Sequence, residues 1–118
     1  MFNFEKLGTW NEAIAFADIV YRLTRGFPPE ERFGLTNQMH RAAVSISSNL
    51  AEGCSRSSKA DYARFVEIAT GSVFEVVSQA TISRNQGFLT ETNYQQIYQA
   101  AEKQSRMLSG LRKSLESV

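Results

Sequence analysis

The chain has 118 residues, a formal net charge of +1 and a single cysteine, so its composition excludes a disulfide framework. The low net charge also excludes a protein that coats nucleic acid through bulk charge alone. A hydrophobic content of 42% is too high for a disordered chain, and the presence of only two prolines favours long helices. We therefore expect one globular domain over residues 1–118.

The N-terminal segment and the apolar runs predict neither export nor membrane insertion. The first residues carry Glu5 beside Lys6 and lack the basic start of a secretory signal. The most apolar run, residues 13–20, contains Asp18 and is shorter than the ~20 residues that a membrane span needs. We expect a cytoplasmic protein with no membrane partner and with Cys54 reduced.

Capping residues and apolar spacing predict the first two helices. Thr9, followed by Glu12, matches a capping box, and Gly26 with the proline pair after it ends the first helix. Thr36 is the predicted N-cap of the second helix, which ends near Gly53. The predicted core positions are Trp10, Ala13, Ile14, Ala17, Val20, Tyr21 and Thr24, then Met39, Ala43, Ile46 and Leu50.

Similar signals predict a third and a fourth helix. The third begins after Ser58, with Asp61 placed to reach back to this cap, and ends at Gly87, while Thr90 caps the fourth. No segment alternates with the period of a strand. The sequence therefore predicts an all-α, antiparallel up-down-up-down four-helix bundle. The core positions are Tyr62, Phe65, Ala69, Val73, Val76 and Ala80, then Tyr94, Ile97, Ala101, Gln104, Leu108, Leu111 and Leu115.

The first and third helices carry more apolar residues than one core stripe uses. Apolar side chains on a second flank of a helix predict a second buried surface, here self-association of the chain. Scattered apolar residues on an ordinary surface are the alternative. The candidate oligomer-interface residues are Phe16, Ile19, Leu23, Phe74 and Ile82.

The second helix carries a polar stripe opposite its apolar one. Arg41, Ser45, Ser48 and Glu52 recur at helical spacing, and Glu52 is placed to pair with Arg56 if the helix extends that far. This stripe predicts a packed polar cluster at an interface or a small site, with a solvated face as the alternative. The candidate cluster comprises Arg41, Ser45, Asn49, Glu52, Arg56 and Glu75.

No pattern in the chain predicts catalysis or a cofactor. His40 has no Asp, Glu or Cys three or four positions away, as a helical metal site would need. Cys54 has no histidine partner nearby, and Gly71-Ser72 is best explained by a close helix crossing. We therefore expect no catalytic residue, no metal and no cofactor.

The fourth helix carries a modest basic stripe opposite its leucines. Such a stripe can bind RNA if an oligomer gathers the copies from several subunits, and a solvated outer face is the alternative. The candidate nucleic-acid contacts are Arg56, Lys103, Arg106 and Lys113.

One long motif in the second helix supports a family resemblance. Residues 33–53, Phe-Gly-Leu-Thr-x-Gln-x-x-Arg-Ala-Ala-Val-Ser-Ile-x-x-Asn-Leu-Ala-Glu-Gly, resemble the signature of the 23S ribosomal RNA intervening-sequence protein family. Ser47 stands where that family usually has proline. The similarity extends through Trp10, Ala13, Phe27 and Pro28 upstream and through residues 65–72, Glu75 and residues 87–89 downstream.

The resemblance implies a small bacterial four-helix bundle that forms ring-like homo-oligomers, with pentamers among relatives, and no known catalytic activity. Some relatives are encoded within ribosomal RNA genes, and a related group serves as RNA-binding accessory subunits of diversity-generating reverse transcriptases. We predict a non-enzymatic homo-oligomeric scaffold or accessory protein whose partner is itself, RNA or a nucleic-acid enzyme. The alternative is an RNA-binding accessory module. The matched positions are Arg41, Ser45, Asn49, Glu52, Gly53, Arg56, Gly71, Ser72 and Glu75.

Overall fold

A computed structural model describes residues 1–116, and this part of the chain contains four long helices and no strand. The helices are α1 (Gly8–Thr24), α2 (Leu35–Cys54), α3 (Lys59–Asn85) and α4 (Glu91–Ser114). Short 3₁₀ turns at Asn3–Lys6 and Pro29–Glu31 precede α1 and α2. The predicted all-α class is confirmed. Among the described helices, none combines the length and the apolarity that crossing a bilayer requires.

Each helix packs against two neighbours. The pairs in contact are α1 with α2, α2 with α3, α3 with α4, and α4 with α1, whereas the diagonal pairs make no backbone contact within residues 1–116. Consecutive helices are joined by short connections, so neighbours run antiparallel. The molecule measures 47 × 22 × 21 Å, close to the ~40 Å length of the longest helix, α3. These features confirm the predicted four-helix bundle.

Side chains cap α3 and α4 as predicted. The backbone N–H of Asp61 donates to Ser58 Oγ at 3.1 Å, and the N–H of Asn93 donates to Thr90 Oγ1 at 3.1 Å. Gly87 follows α3 with a φ of +82°, a conformation that glycine adopts without strain. The connection between α3 and α4 therefore follows directly from local sequence.

The starts of α1 and α2 differ from prediction, because Thr9 and Thr36 lie inside the helices. The N-cap positions are Leu7 and Gly34, and neither supplies a side-chain cap. The preceding turn supplies the partner instead, since Glu31 Oε1 accepts from the first N–H of α2, that of Leu35, at 3.1 Å. Sequence spacing alone does not reveal a cap from an earlier turn.

The predicted apolar stripes of α2, α3 and α4 form the core. Gln104 is a polar exception that is fully buried on α4. Its Nε2 donates to the carbonyl oxygen of Thr9 at 3.3 Å, and its Oε1 has no partner among the described residues. The fully buried members of the stripes are Met39, Ala43, Ile46, Leu50, Ala69, Val76, Ala80, Ile97 and Leu108.

The core face of α1 agrees with the predicted one only in part, since three of the seven predicted positions are buried and two are exposed. Phe16, expected at an outer surface, is 1% exposed in the core, whereas Ile14 and Tyr21, expected in the core, are 36% and 40% exposed. Helix α1 is apolar around most of its circumference, so periodicity does not fix which sector points inward. Ile19 and Leu23 are half-buried and pack against the core. The prediction for Phe16 as an oligomer-interface residue is wrong.

Candidate functional site

Helices α2 and α3 pack closely at Gly53. A Cβ added there would lie 2.8 Å from Phe65 Cβ and 3.0 Å from Tyr62 Cδ1. For the Gly71-Ser72 pair, predicted to mark a close crossing, no atom lies within 4 Å of a Cβ built at Gly71, whereas Ser72 is buried and its hydroxyl contacts α2. Burial raises the pKa of Tyr62 to about 12, with the neighbouring Cys54 adding to the shift. The seam between α2 and α3 therefore depends on a residue without a side chain.

Along the same seam, the polar stripe of α2 and the facing side of α3 form an open cavity of about 300 Å³, here named the α2–α3 groove. Across it, Ser72 Oγ donates to Ser45 Oγ at 2.9 Å, and Asn49 Nδ2 donates to the same oxygen at 2.9 Å. These bonds fix the floor of the groove. Its lining residues are Gln38, Arg41, Ala42, Ser45, Ser72, Glu75 and Gln79.

The groove unites part of the predicted cluster, namely Arg41, Ser45 and Glu75, with Asn49 bonded to its floor. Three lining residues, Gln38, Ala42 and Gln79, were not predicted as site residues from the sequence. The signal for Gln79 was its position four residues after Glu75, which puts both on one face of α3. The oxygen Oε1 of Gln79 is buried and has no hydrogen-bond partner among the described residues.

The remaining members of the predicted cluster lie away from the groove. Glu52 is about 16 Å from Arg41 along the axis of α2. The predicted pair forms, with Arg56 Nη2 lying 3.5 Å from Glu52 Oε2, although α2 ends at Cys54. The Arg56 guanidinium also lies 4.7 Å from the centre of the Phe65 ring. These contacts attach the end of α2 to α3.

His40 occupies the seam between α1 and α2. Its ring stacks on Tyr21 with centroids 3.8 Å apart, and its Nε2 lies 2.8 Å from Thr24 Oγ1. The Thr24 hydroxyl also lies 2.9 Å from the carbonyl oxygen of Val20, so this contact ties His40 to the end of α1. Burial lowers the pKa of His40. Within residues 1–116, no three His, Cys, Asp or Glu side chains are grouped as a metal would require.

Among the exposed large apolar residues, two groups lie on opposite sides of the bundle, one on α3 and α4 and the other on α1 and α2. On α3, Phe74 is 65% exposed and Ile82 47% exposed. Phe74 and Tyr98 line an apolar cavity of about 300 Å³ between α3 and α4, which Ile82 does not reach. We call these two cavity residues and Val77 the α3–α4 patch. The opposite α1–α2 patch comprises Ile14, Tyr21 and Val44.

The basic residues of α4 divide into paired and unpaired groups. Lys103 Nζ lies 3.3 Å from Glu12 Oε2 on α1. Arg106 and Lys113 are exposed and form no ion pair in the described part of the chain. They are two helical turns apart on one face. The other two predicted nucleic-acid contacts, Lys103 and Arg56, already form ion pairs within the bundle.

Comparison with known proteins supports the fold and a family. A solved structure from Bacteroides thetaiotaomicron VPI-5482, a protein of unknown function from the S23 ribosomal protein family, is similar, with a TM-score of 0.82. The sequences are 20% identical, and the similarity covers 89% of this chain and 98% of that chain, so the likeness concerns the fold alone. No curated protein matches. The profile of the 23S rRNA-intervening sequence protein family matches residues 5–110, which span α1, α2, α3 and most of α4. The chain therefore belongs to this family.

Proposed function

We propose that the chain is a non-enzymatic, self-associating bundle that serves as a scaffold or accessory subunit. The exposed Phe74 ring carries this proposal, because a large aromatic side chain 65% exposed beside an apolar cavity resembles half of an interface. Burying apolar surface stabilises an assembly by about 25 cal/mol per Å², and aromatic anchors dominate such interfaces. The α3–α4 patch is thus the proposed contact with a second copy.

We further propose that the copies form a closed ring of five subunits, as the family resemblance implies. The number five rests on that resemblance alone. A ring requires two different patches on each subunit, one for each neighbour. The α3–α4 patch and the α1–α2 patch lie on opposite sides of the bundle, which supports a head-to-tail arrangement. Ile82, which is also exposed on α3, is a further candidate for this interface.

Native mass spectrometry and light scattering at micromolar concentration test self-association. We expect an oligomer for the unmodified chain and a shift to monomer for Phe74→Glu, because a buried charge without a partner opposes assembly. Ile68→Glu is the matched control, since Ile68 is 43% exposed on the same helix but lies outside both patches. A monomeric unmodified chain, or equal disruption by the control, contradicts the proposal.

RNA binding is the second candidate function, supported by the exposed and unpaired Arg106 and Lys113. A ring would bring several copies of this basic pair together and add their fields. We expect structured RNA to shift in a gel at low ionic strength and to dissociate as salt rises. Arg106→Gln or Lys113→Gln should each lower the slope of log affinity against log salt by about one for every subunit that contacts the RNA. Lys103→Gln, which removes an already paired charge, is the control. Absence of a shift at about 50 mM salt contradicts RNA binding.

A further inference from the structure

The α2–α3 groove is used by neither proposed function, since it contains no residue of the two apolar patches or of the basic pair on α4. Its floor is held by the hydrogen bonds of Ser45, and its side chains come from two helices that pack closely at Gly53. The groove is therefore a preformed polar cavity that shares no side chain with those surfaces.

The two sides of the groove carry opposite charges that do not form an ion pair with each other. Arg41 on α2 and Glu75 on α3 are both exposed, and neither forms an ion pair with any described residue. An arginine guanidinium binds a carboxylate through paired hydrogen bonds, and a carboxylate binds an ammonium group. A ligand that carries both groups would satisfy both sides at once.

The neutral side chains of Ser45 and Gln79 lie one turn from the charged residues Arg41 and Glu75. Ser45 Oγ already accepts two hydrogen bonds, so its remaining capacity is its O–H, which has no acceptor among the described residues. Ser45 lies one turn from Arg41, so α2 offers two donors. On α3, Gln79 lies one turn from Glu75, but its Oε1 is inaccessible to solvent, so the exposed acceptor that α3 offers is the Glu75 carboxylate.

We propose that the α2–α3 groove binds a free α-amino acid. The carboxylate of the ligand accepts from the Arg41 guanidinium and the Ser45 hydroxyl, while its ammonium group donates to the Glu75 carboxylate. The cavity of about 300 Å³ leaves room for a side chain beside Gln38, whose carboxamide favours a polar one.

An NMR titration with L-serine tests this proposal on the full chain. We expect saturable shifts of the Gln79 side-chain amide and of the Ser45 backbone amide. N-acetyl-L-serine lacks the ammonium group and L-serine methyl ester lacks the carboxylate, so each should bind at least about tenfold more weakly. Absence of saturable shifts up to about 10 mM L-serine overturns the proposal. Equal binding of N-acetyl-L-serine also overturns it, because it would indicate a simple anion site.

Two variants locate the ligand. Arg41→Gln and Glu75→Gln change exposed side chains, so circular dichroism should report an unchanged fold while L-serine affinity falls at least about tenfold. Arg22→Gln is the matched control, because it removes one exposed arginine on α1 outside the groove and should leave the affinity unchanged. Unchanged affinity in both groove variants overturns the proposal. Self-association is measured separately with Phe74→Glu, so either proposal can fail without the other.

Discussion

Gly53 determines how closely α2 and α3 pack. We expect Gly53→Ala to lower the free energy of unfolding by about 1–3 kcal/mol, because its Cβ would overlap Phe65 and Tyr62. This loss should exceed the propensity gain from alanine, which is below the ~1 kcal/mol of a helix interior because Gly53 lies in the last turn of α2.

Urea denaturation provides the measurement, and Gly71→Ala provides the control. Gly71 lies in α3 with no atom within 4 Å of its would-be Cβ, so alanine should stabilise the protein there by roughly 0.5–1 kcal/mol. Equal changes in the free energy of unfolding for the two variants would show that helix propensity, and not interhelical packing, determines the effect of the substitution at Gly53.

At the same scale, the sequence identified some members of the α2–α3 groove and missed others. Arg41 and Ser45 could be predicted because helical spacing fixes which residues share a face of α2. That Gln79 Oε1 lacks a hydrogen-bond donor could not be predicted, because it depends on atoms that the neighbouring helix contributes. Phe16 was assigned to the wrong side of α1 for a related reason, since only the packed neighbours select among several apolar sectors.

At the scale of the helix, the side chain of Ser58 caps the start of α3. We expect Ser58→Ala to destabilise the protein by about 1 kcal/mol, because the N–H of Asp61 loses its acceptor at the start of α3. Thermal denaturation measures the change. Ser57→Ala is the control, since Ser57 is exposed just before the cap and forms no side-chain hydrogen bond among the described residues, so its effect should stay within about 0.5 kcal/mol. A similar loss in both variants would contradict the capping role.

Element boundaries were predictable where the signal lay within the helix and its own flanks. The caps at Ser58 and Thr90 and the turn at Gly87 are of this kind. The start of α2 was not predictable, because the carboxylate of Glu31 comes from the preceding 3₁₀ turn and its reach depends on how that turn folds back.

For the whole molecule, self-association would couple stability to concentration. If the native chain assembles through the α3–α4 patch, its midpoint of thermal unfolding should rise with protein concentration, because mass action favours the folded oligomer. Phe74→Glu should abolish this dependence while leaving the fold intact, since the side chain is largely exposed. Differential scanning calorimetry over about a hundredfold range of concentration measures the effect. A midpoint independent of concentration in the unmodified chain would contradict the proposed assembly.

The bundle topology was predictable at this scale because four amphipathic segments with short connections have few ways to bury their stripes. The surface through which copies of the chain assemble was less predictable from the sequence. Phe74 and Phe16 are both apolar residues outside the predicted stripes, and only the folded bundle distinguishes the exposed ring from the buried one.

The buried Gln104 has a further consequence for which helix pairing the chain adopts. Sliding α4 by one turn along α1 would remove its amide from the Thr9 carbonyl and leave both of its polar atoms unpaired in an apolar core. A buried polar residue can select one alignment of helices in this way at a cost in stability. We expect Gln104→Leu to raise the free energy of unfolding by about 1 kcal/mol, because Oε1 is already unsatisfied, and to broaden amide resonances as shifted alignments become populated. Lower stability with sharp resonances would instead make the bond to Thr9 a net stabilising contact.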